Sequence, residues 1–377
     1  MKIFVAGDFC PQHRVTKAFN YGDFGAVLAE VRPVISQAEY SIVNYECPVC
    51  LGVEKPIEKC GPNLKSTERG IEAVKWAGFN CVTLANNHFL DYGEEGVRKT
   101  IETLTKYGID YVGGGMNLHE ASQILYKDIA GSRLAIVNCC EHEFSIATAS
   151  TAGCNPLNVV QQCYAIKEAR ANADYVLIIV HGGHEHFRLP SPRMVETYRF
   201  FVDAGADAVV NHHQHCYSGY ELYNGKPIFY GIGNFCFDNP SKRSGIWTEG
   251  YAITIDFDGN APTFDIHPYK QCGDNPVVNM LPQNAYNKRL AELHDIIVTP
   301  DKLKEVVNRY YDDCCSHYGD IFEPITNRFY LGAKRRGFVP SLINKKKFLI
   351  AYDFVLCESH KDKLRYWFEN NNTIIRK

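Results

Sequence analysis

The chain has no surplus of basic residues. Its 40 Lys and Arg stand against 43 Asp and Glu, a formal net charge of −3. A general nucleic-acid binder would show a basic face, so that class is set aside and no nucleic-acid partner is expected. Long apolar runs are also missing. No stretch approaches the roughly 18 to 20 residues of a membrane span. The opening "MKIFVAGDFCPQHR" reaches a charge at Asp8, too early for a signal-peptide core. Internal repeats and low-complexity tracts are absent as well. Cysteine, in contrast, is abundant at 15. The count is odd and the residues are scattered, with Cys139/Cys140 and Cys314/Cys315 adjacent, a poor arrangement for disulfides. Free thiols in a reducing cytoplasm are the expectation.

What is present is an ordinary globular composition, 45% hydrophobic and 22% charged over 377 residues. That length suits one large domain with an appendage, or two domains. Short apolar runs recur and end in polar residues: "KIFVAGD", "YSIVNYE", "FNCVTLANNH", "RLAIVNCCEHE", "YVLIIVHGGHEH" and "DAVVNHHQH". Helical patterns lie between several of them. In "SPRMVETYRFFVDAGA", Met194, Val195, Tyr198, Phe201 and Val202 share a stripe, with Ser191 as candidate cap and Pro192 in the first turn. In "DYGEEGVRKTIETLTKYG", Val97, Ile101 and Leu104 align ahead of Gly108, a C-terminal stop. Such alternation predicts an α/β domain with a covered sheet. "KPIFYGIGNFCFD" and "GYAITIDFDG" read instead as consecutive strands joined by turns, which makes the sheets mixed. Residues 1–272 are expected to form this domain and 273–377 a mainly helical extension, with "NKKKF" near Lys345 as a solvated loop.

In α/β sheets, ligands gather at the carboxyl ends of strands. Here those ends carry Asp8, Glu46, Asn87 with His88, His181, and His213 with His215. Each has a plain explanation alone, as a turn former, a helix cap or a hydrogen-bonded structural histidine. Together they are an oxygen- and nitrogen-rich set from five strands, and a shared metal site explains all of them. Alternate residues of extended chain point the same way, so His213 and His215 are expected to present two imidazoles together, to one metal or to two neighbours. His212 is then expected to face away, in a supporting role.

The ordered motifs resemble those of the capsule-synthesis (CapA, or PGA_cap) family, a branch of the calcineurin-like metallophosphoesterases. They are "AGD" at Asp8, "NYECP" around Glu46, "LANNHFLDYGEEG" from Leu84, "HGGHE" from His181, and "NHHQHCYSGYELYNGKPIFYGIGNFCFD". The resemblance implies a four-layer α/β/β/α sandwich with mixed sheets, plus the helical C-terminal extension. It also implies a two-metal centre. Asp8 and His215 would hold one cation, and Asn87, His181 and His213 the other. Glu46 stands where the wider superfamily has a bridging Asp. His88 corresponds to the histidine that assists the leaving group, and Asp91 is placed to orient it. Asn86, Glu185, His212 and Asn234 are expected nearby as supporting or substrate-contacting residues.

There are departures. Cys10 stands where the wider superfamily has a histidine, either as a zinc-binding thiolate or as a bystander, and His13 from the following loop is a candidate substitute. Gly182, Asn211 and Gln214 replace a Trp, a Gly and a Pro of the family pattern. Arg188 and Arg193 follow "HGGHE" and either contact an anionic group or are solvated. The implied activity is metal-dependent hydrolysis by a water activated on two divalent ions, from among manganese, iron, zinc or magnesium. The bond is a phosphoester or a γ-glutamyl amide of an anionic small molecule or polymer. The rival is an accessory protein of envelope-polymer assembly that binds metal and polymer without turnover.

Overall fold

In a computed structural model of the protein, residues 1–259, 261–314, 329–330, 333, 336–340 and 343–370 are described. Two mixed sheets stack face to face. The first contains β1 (Lys2–Phe9), β2 (Tyr40–Tyr45), β3 (Cys81–Thr83) and β4 (Asp110–Val112). The second contains β5 (Leu125–Ile129), β6 (Ser132–Cys140), β7 (Tyr175–His181), β8 (Ala208–His212), β9 (Tyr220–Tyr223) and β10 (Lys226–Phe229). The chain then returns to the first sheet with β11 (Asn234–Cys236), β12 (Glu249–Asp256), β13 (Thr263–Gln271) and β14 (Val278–Met280). The first sheet runs β14-β13-β12-β1-β2-β3-β4, with β11 also paired to β1; the second runs β9-β10-β8-β7-β6-β5. β1, β2 and β3 are parallel, as are β6, β7 and β8. β12 runs antiparallel to β1.

Side-chain alternation along β1 divides the molecule into layers. Ile3 and Val5 join the core between the sheets, whereas Phe4 and Ala6 face the outer helices of the first sheet. Those helices are α1 (His13–Asn20), α2 (Glu68–Ala77) and α3 (Gly93–Tyr107). On the second sheet lie α4 (Val159–Asn172) and α5 (Pro192–Ala204). This is the four-layer α/β/β/α sandwich expected. β1 is buried along nearly its whole length, as a strand covered on both faces must be. The helix ends follow the local chemistry. Ser191 Oγ accepts the Met194 backbone N–H at 3.3 Å ahead of α5, and Gly108 ends α3 in the left-handed region at φ 62°.

One stretch changes sheets. β10 lies in the second sheet and β11 in the first, so the four residues between them cross the sandwich. Gly233 makes that turn at φ 81°. Its carbonyl presses against Gly7, where a Cβ would lie 1.8 Å from Gly233 O. Glycine is needed on both sides of this approach.

Beyond β14, which still pairs with the first sheet, come α6 (Asn287–Ile297), α7 (Pro300–Cys314), α8 (Lys345–Leu356) and α9 (Glu358–Asn370). The helical C-terminal region is therefore present, and "NKKKF" opens α8 rather than forming a loop, with Asn344 Oδ1 accepting the Lys347 N–H at 2.9 Å. Leu290, Leu293, Leu303, Val307 and Phe354 join the same continuous apolar cluster, which runs from between the sheets to the helices of the second sheet. Among the described residues, no helix is long and apolar enough to cross a membrane. The described cysteines are all free, including Cys47 and Cys50, a buried C-x-x-C pair; Cys315 lies outside the described residues.

Candidate metal centre

The parallel strands of both sheets deliver their carboxyl ends to one buried spot. β1 carries Asp8, the residue after β2 is Glu46, and the loop after β3 carries Asn87. From the second sheet come His181 at the end of β7 and the turn 213–215 after β8. Asp8, Glu46, Asn87, His181, His213 and His215 are all buried.

Two groups of donor atoms form there, each within 4.8 Å. One is Glu46, His181 and His213; the other is Asp8, Glu46 and His215. Glu46 belongs to both. His181 Nε2 lies 3.1 Å from Asn87 Oδ1, 3.1 Å from His213 Nδ1 and 3.7 Å from Glu46 Oε1. Across the shared carboxylate, His215 Nε2 lies 3.8 Å from Glu46 Oε1, and its Nδ1 lies 3.7 Å from Asp8 Oδ2. His215 Nδ1 also lies 2.9 Å from Asn234 Oδ1, which leaves Nε2 for the cluster.

The decisive test of fit is Glu46. Both of its oxygens are buried without a hydrogen-bond partner. An ionised carboxylate in that position is costly unless a cation compensates it. Burial, followed by the neighbouring Asp8, pushes its pKa well above the ordinary range. Asp8 is pushed up to about 7 by burial, against the hydrogen bond from Asn44 Nδ2 at 2.7 Å. His181 is held well below its ordinary value by burial and by the other histidines, and burial takes His215 down to about 3. Neutral imidazoles around two oxygen donors fit a pair of divalent ions.

The histidine pair is not presented by extended chain. β8 ends at His212, and His213 and His215 adopt φ of 86° and 55°. A tight left-handed turn, costly for non-glycine residues, aims them. His212 does not point away either; its Nδ1 stands 3.5 Å behind Asp8 Oδ1, with both ring nitrogens unpaired.

At the rim, His88 Nδ1 lies 2.7 Å from Asp91 Oδ2 and 3.1 Å from Lys59 Nζ, and Lys59 also pairs with Asp91. Burial, then Lys59, lowers the His88 pKa. Asn86 braces this loop, donating to Tyr45 O at 3.0 Å and accepting from His88 N at 3.2 Å. Glu185 lines the adjoining cleft.

The bacterial capsule synthesis protein PGA_cap model matches residues 2–239. The chain belongs to that family. Among its relatives, the capsule biosynthesis protein CapA of Bacillus anthracis is 35% identical over 248 residues, which is 64% of this chain and 60% of that protein. The PGA biosynthesis protein CapA of Bacillus subtilis is 30% identical over 241 residues, 63% of each. The match thus spans about three-fifths of both relatives. Among solved structures, a 5′-nucleotidase precursor from Thermus thermophilus is similar at TM-score 0.43 and 11% identity, covering 78% of this chain and 57% of that one.

The motif residues of the family therefore meet at one site, but several neighbours of the motifs do not reach it. His13 is exposed at the start of α1. Cys10 is buried beside Gln12 Nε2 at 3.3 Å and joins neither donor group. Arg188 stacks over Tyr217 at 3.9 Å and pairs with Glu249; Arg193 binds Glu141 at 2.7 Å and Asp362 at 3.0 Å. Both arginines are structural ion-pair partners, neither solvated nor at the cluster.

Two participants escape the strand-tip pattern, and a third fits it but lies outside the motifs. Asn44 sits inside β2, two residues before the tip and in register with Asp8 of β1. Lys59 lies in a loop with no periodic signal. Glu143 follows β6 in "CCEHE", a strand end that carries the same polar signal as the others. Its Oε2 accepts from Asn87 Nδ2 at 3.1 Å, and its Oε1 lies 3.8 Å from His213 Nε2.

Proposed function

We propose that the chain is a dinuclear metal-dependent hydrolase acting in capsule or poly-γ-glutamate metabolism of the cell envelope. The observation that carries this reading is the buried, unpartnered Glu46 carboxylate shared by the two donor groups. Asp8 and His215 would hold one ion, Asn87, His181 and His213 the other, and Glu46 would reach both. Manganese, iron, zinc or magnesium bound there would supply an activated water and polarise the scissile bond.

The chain's own residues do the rest. Asn44 and Asn234 hold Asp8 and His215 in orientation. Asp91 and Lys59 both engage His88 Nδ1, so the other ring nitrogen is the one left to face a leaving group. Lys59 balances the charge of Asp91 and pins the 57–64 loop across the rim, where Asp91 Oδ2 also accepts from Leu64 N at 2.6 Å. The names of the Bacillus relatives direct the substrate search to anionic envelope polymers and their precursors, joined through phosphoester or γ-glutamyl amide bonds.

The test is metal analysis of protein purified without chelator, followed by assay with manganese. The substrates are phosphomonoesters, phosphodiesters and γ-glutamyl peptides. About two ions per chain and turnover of one substrate class are expected. No bound metal after reconstitution would defeat the reading. Metal without turnover would favour a binding role in polymer assembly.

A further inference from the structure

The metal-binding residues form only one side of a cleft of about 270 Å³. Asn87 and His213 line that side, with His88 beside them. The opposite side comes from Cys357, Ser359, His360 and Lys363 at the junction of α8 and α9. These helices lie beyond residue 239, where the family match ends. The family motifs therefore account for the metal wall and say nothing of the other.

The second wall is tied to the metal wall. Glu358 at the start of α9 accepts from the His142 backbone N–H at 2.7 Å, and its other oxygen lies 2.7 Å from His142 Nδ1. One turn on, Asp362 accepts from Arg193 Nε at 3.0 Å, and Arg193 reaches back to Glu141 at 2.7 Å. Both anchors land on the 141–143 segment or on its partner Arg193. That segment also puts Glu143 into the cleft against Asn87 and His213. Farther along, Tyr366 Oη donates to Asp312 of α7 at 2.6 Å. α9 is held over the site on both of its flanks.

We propose that α8 and α9 form the substrate-selecting wall of the cleft, and that Lys363 with His360 receives the anionic group of a small molecule or chain end lying against the metal-binding residues. The proposal rests on the metal-centre reading for the opposite wall. Size is the first argument. The cleft is smaller than the roughly 300–1,000 Å³ of ordinary ligand pockets, so it takes one small polar group rather than the interior of a polymer. Charge is the second. The lining mixes two lysines, Lys59 and Lys363, with three carboxylates, Glu143, Glu185 and Asp353, the last 3.3 Å from His360 Nε2, so it is the two divalent ions beside Lys363 that would make the site positive. Between such walls an anion is favoured and a neutral apolar molecule is not.

The probe is inorganic orthophosphate, titrated calorimetrically into the full chain with and without manganese. Hydrogen exchange is followed over residues 358–370. Manganese stoichiometry is measured in the same samples and reports on the metal centre separately. Phosphate is expected to slow exchange in α9. Lys363→Met is expected to weaken phosphate at least about tenfold, the scale of one charge-assisted hydrogen bond, without loss of manganese. His360→Gln should weaken it less. Phosphate binding that leaves α9 exchange unchanged and is equal in wild type and Lys363→Met overturns the proposal, and so does the absence of phosphate binding. If phosphate protects α9 in a chain that binds no manganese, the wall stands and the metal reading falls.

Discussion

Asn87 donates its side-chain amide to Glu143 at 3.1 Å, and this turns its Oδ1 toward His181 Nε2, also at 3.1 Å. The second oxygen of Glu143 stands 3.8 Å from His213 Nε2, on the ring edge away from the cluster. One carboxylate thus holds Asn87 by a hydrogen bond and stands beside His213, in the place supporting carboxylates take next to metal ligands.

Replacing that carboxylate should loosen one ion and spare the other. Glu143→Ala is expected to weaken the ion held by Asn87, His181 and His213 by about 10- to 100-fold. The Asp8–His215 ion should remain. Equilibrium dialysis against manganese measures both; equal weakening of the two ions would contradict the assigned geometry.

His88→Ala should separate chemistry from binding. Loss of a positioned acid–base group costs about 10²- to 10⁴-fold in turnover. His88 Nδ1 is engaged by Asp91 and its ring joins neither donor group, so metal content should be unchanged. Asp91→Asn should produce a smaller loss, since it releases the ring without removing it.

The affinity for metal should fall as the medium becomes more acidic. Asp8 keeps its proton up to about pH 7 in the ion-free site, because burial opposes its charge. A cation needs that carboxylate ionised, so below about pH 7 binding must expel a proton and weakens by up to about tenfold per unit and per proton. The histidines do not reverse the sign, because burial keeps them neutral; His212 and His215 protonate only near 3. Manganese dissociation constants at pH 6 and pH 8 read this directly. Tighter binding at pH 6 would be inconsistent with it.

Gly7→Ala should damage stability and site together. Its new methyl would meet Gly233 O at 1.8 Å, and this clash lies at the backbone, which cannot swing aside. Overpacking of this kind costs about 1–3 kcal/mol or more. The adjacent Asp8 N–H to Gly233 O hydrogen bond at 3.2 Å would shift with it. A lowered melting temperature with weakened metal binding is expected, against a control substitution at the exposed Gly22, where a Cβ meets nothing. There the left-handed φ of 75° adds only local strain.

Much of this architecture is legible in the chain. The strand tips Asp8, Glu46, Asn87 and His181 are visible because each ends an apolar run, and the helix from Pro192 because its cap and stripe obey local rules. Those signals act over a few residues, so a single sequence displays them. Glu143 ends a run in the same way and was legible too, yet "CCEHE" lies outside the family motifs.

Other features had no local signature. The left-handed backbone at His213 and His215 breaks the extended-chain argument, because β8 ends at His212 and both histidines lie in the turn beyond it. Arg188 and Arg193 follow a motif in sequence but point to Glu249, Glu141 and Asp362, partners 52 to 169 residues away. By itself, the sequence determined the candidate donor residues, the order of the polar tips along the chain and the family. The tertiary structure alone decided that one sheet supplies Asp8, Glu46 and Asn87 and the other the histidines. It alone decided that the helices after residue 344 close the cleft. Both depend on contacts between residues far apart in the chain, which the burial of a shared core brings together and local periodicity does not encode.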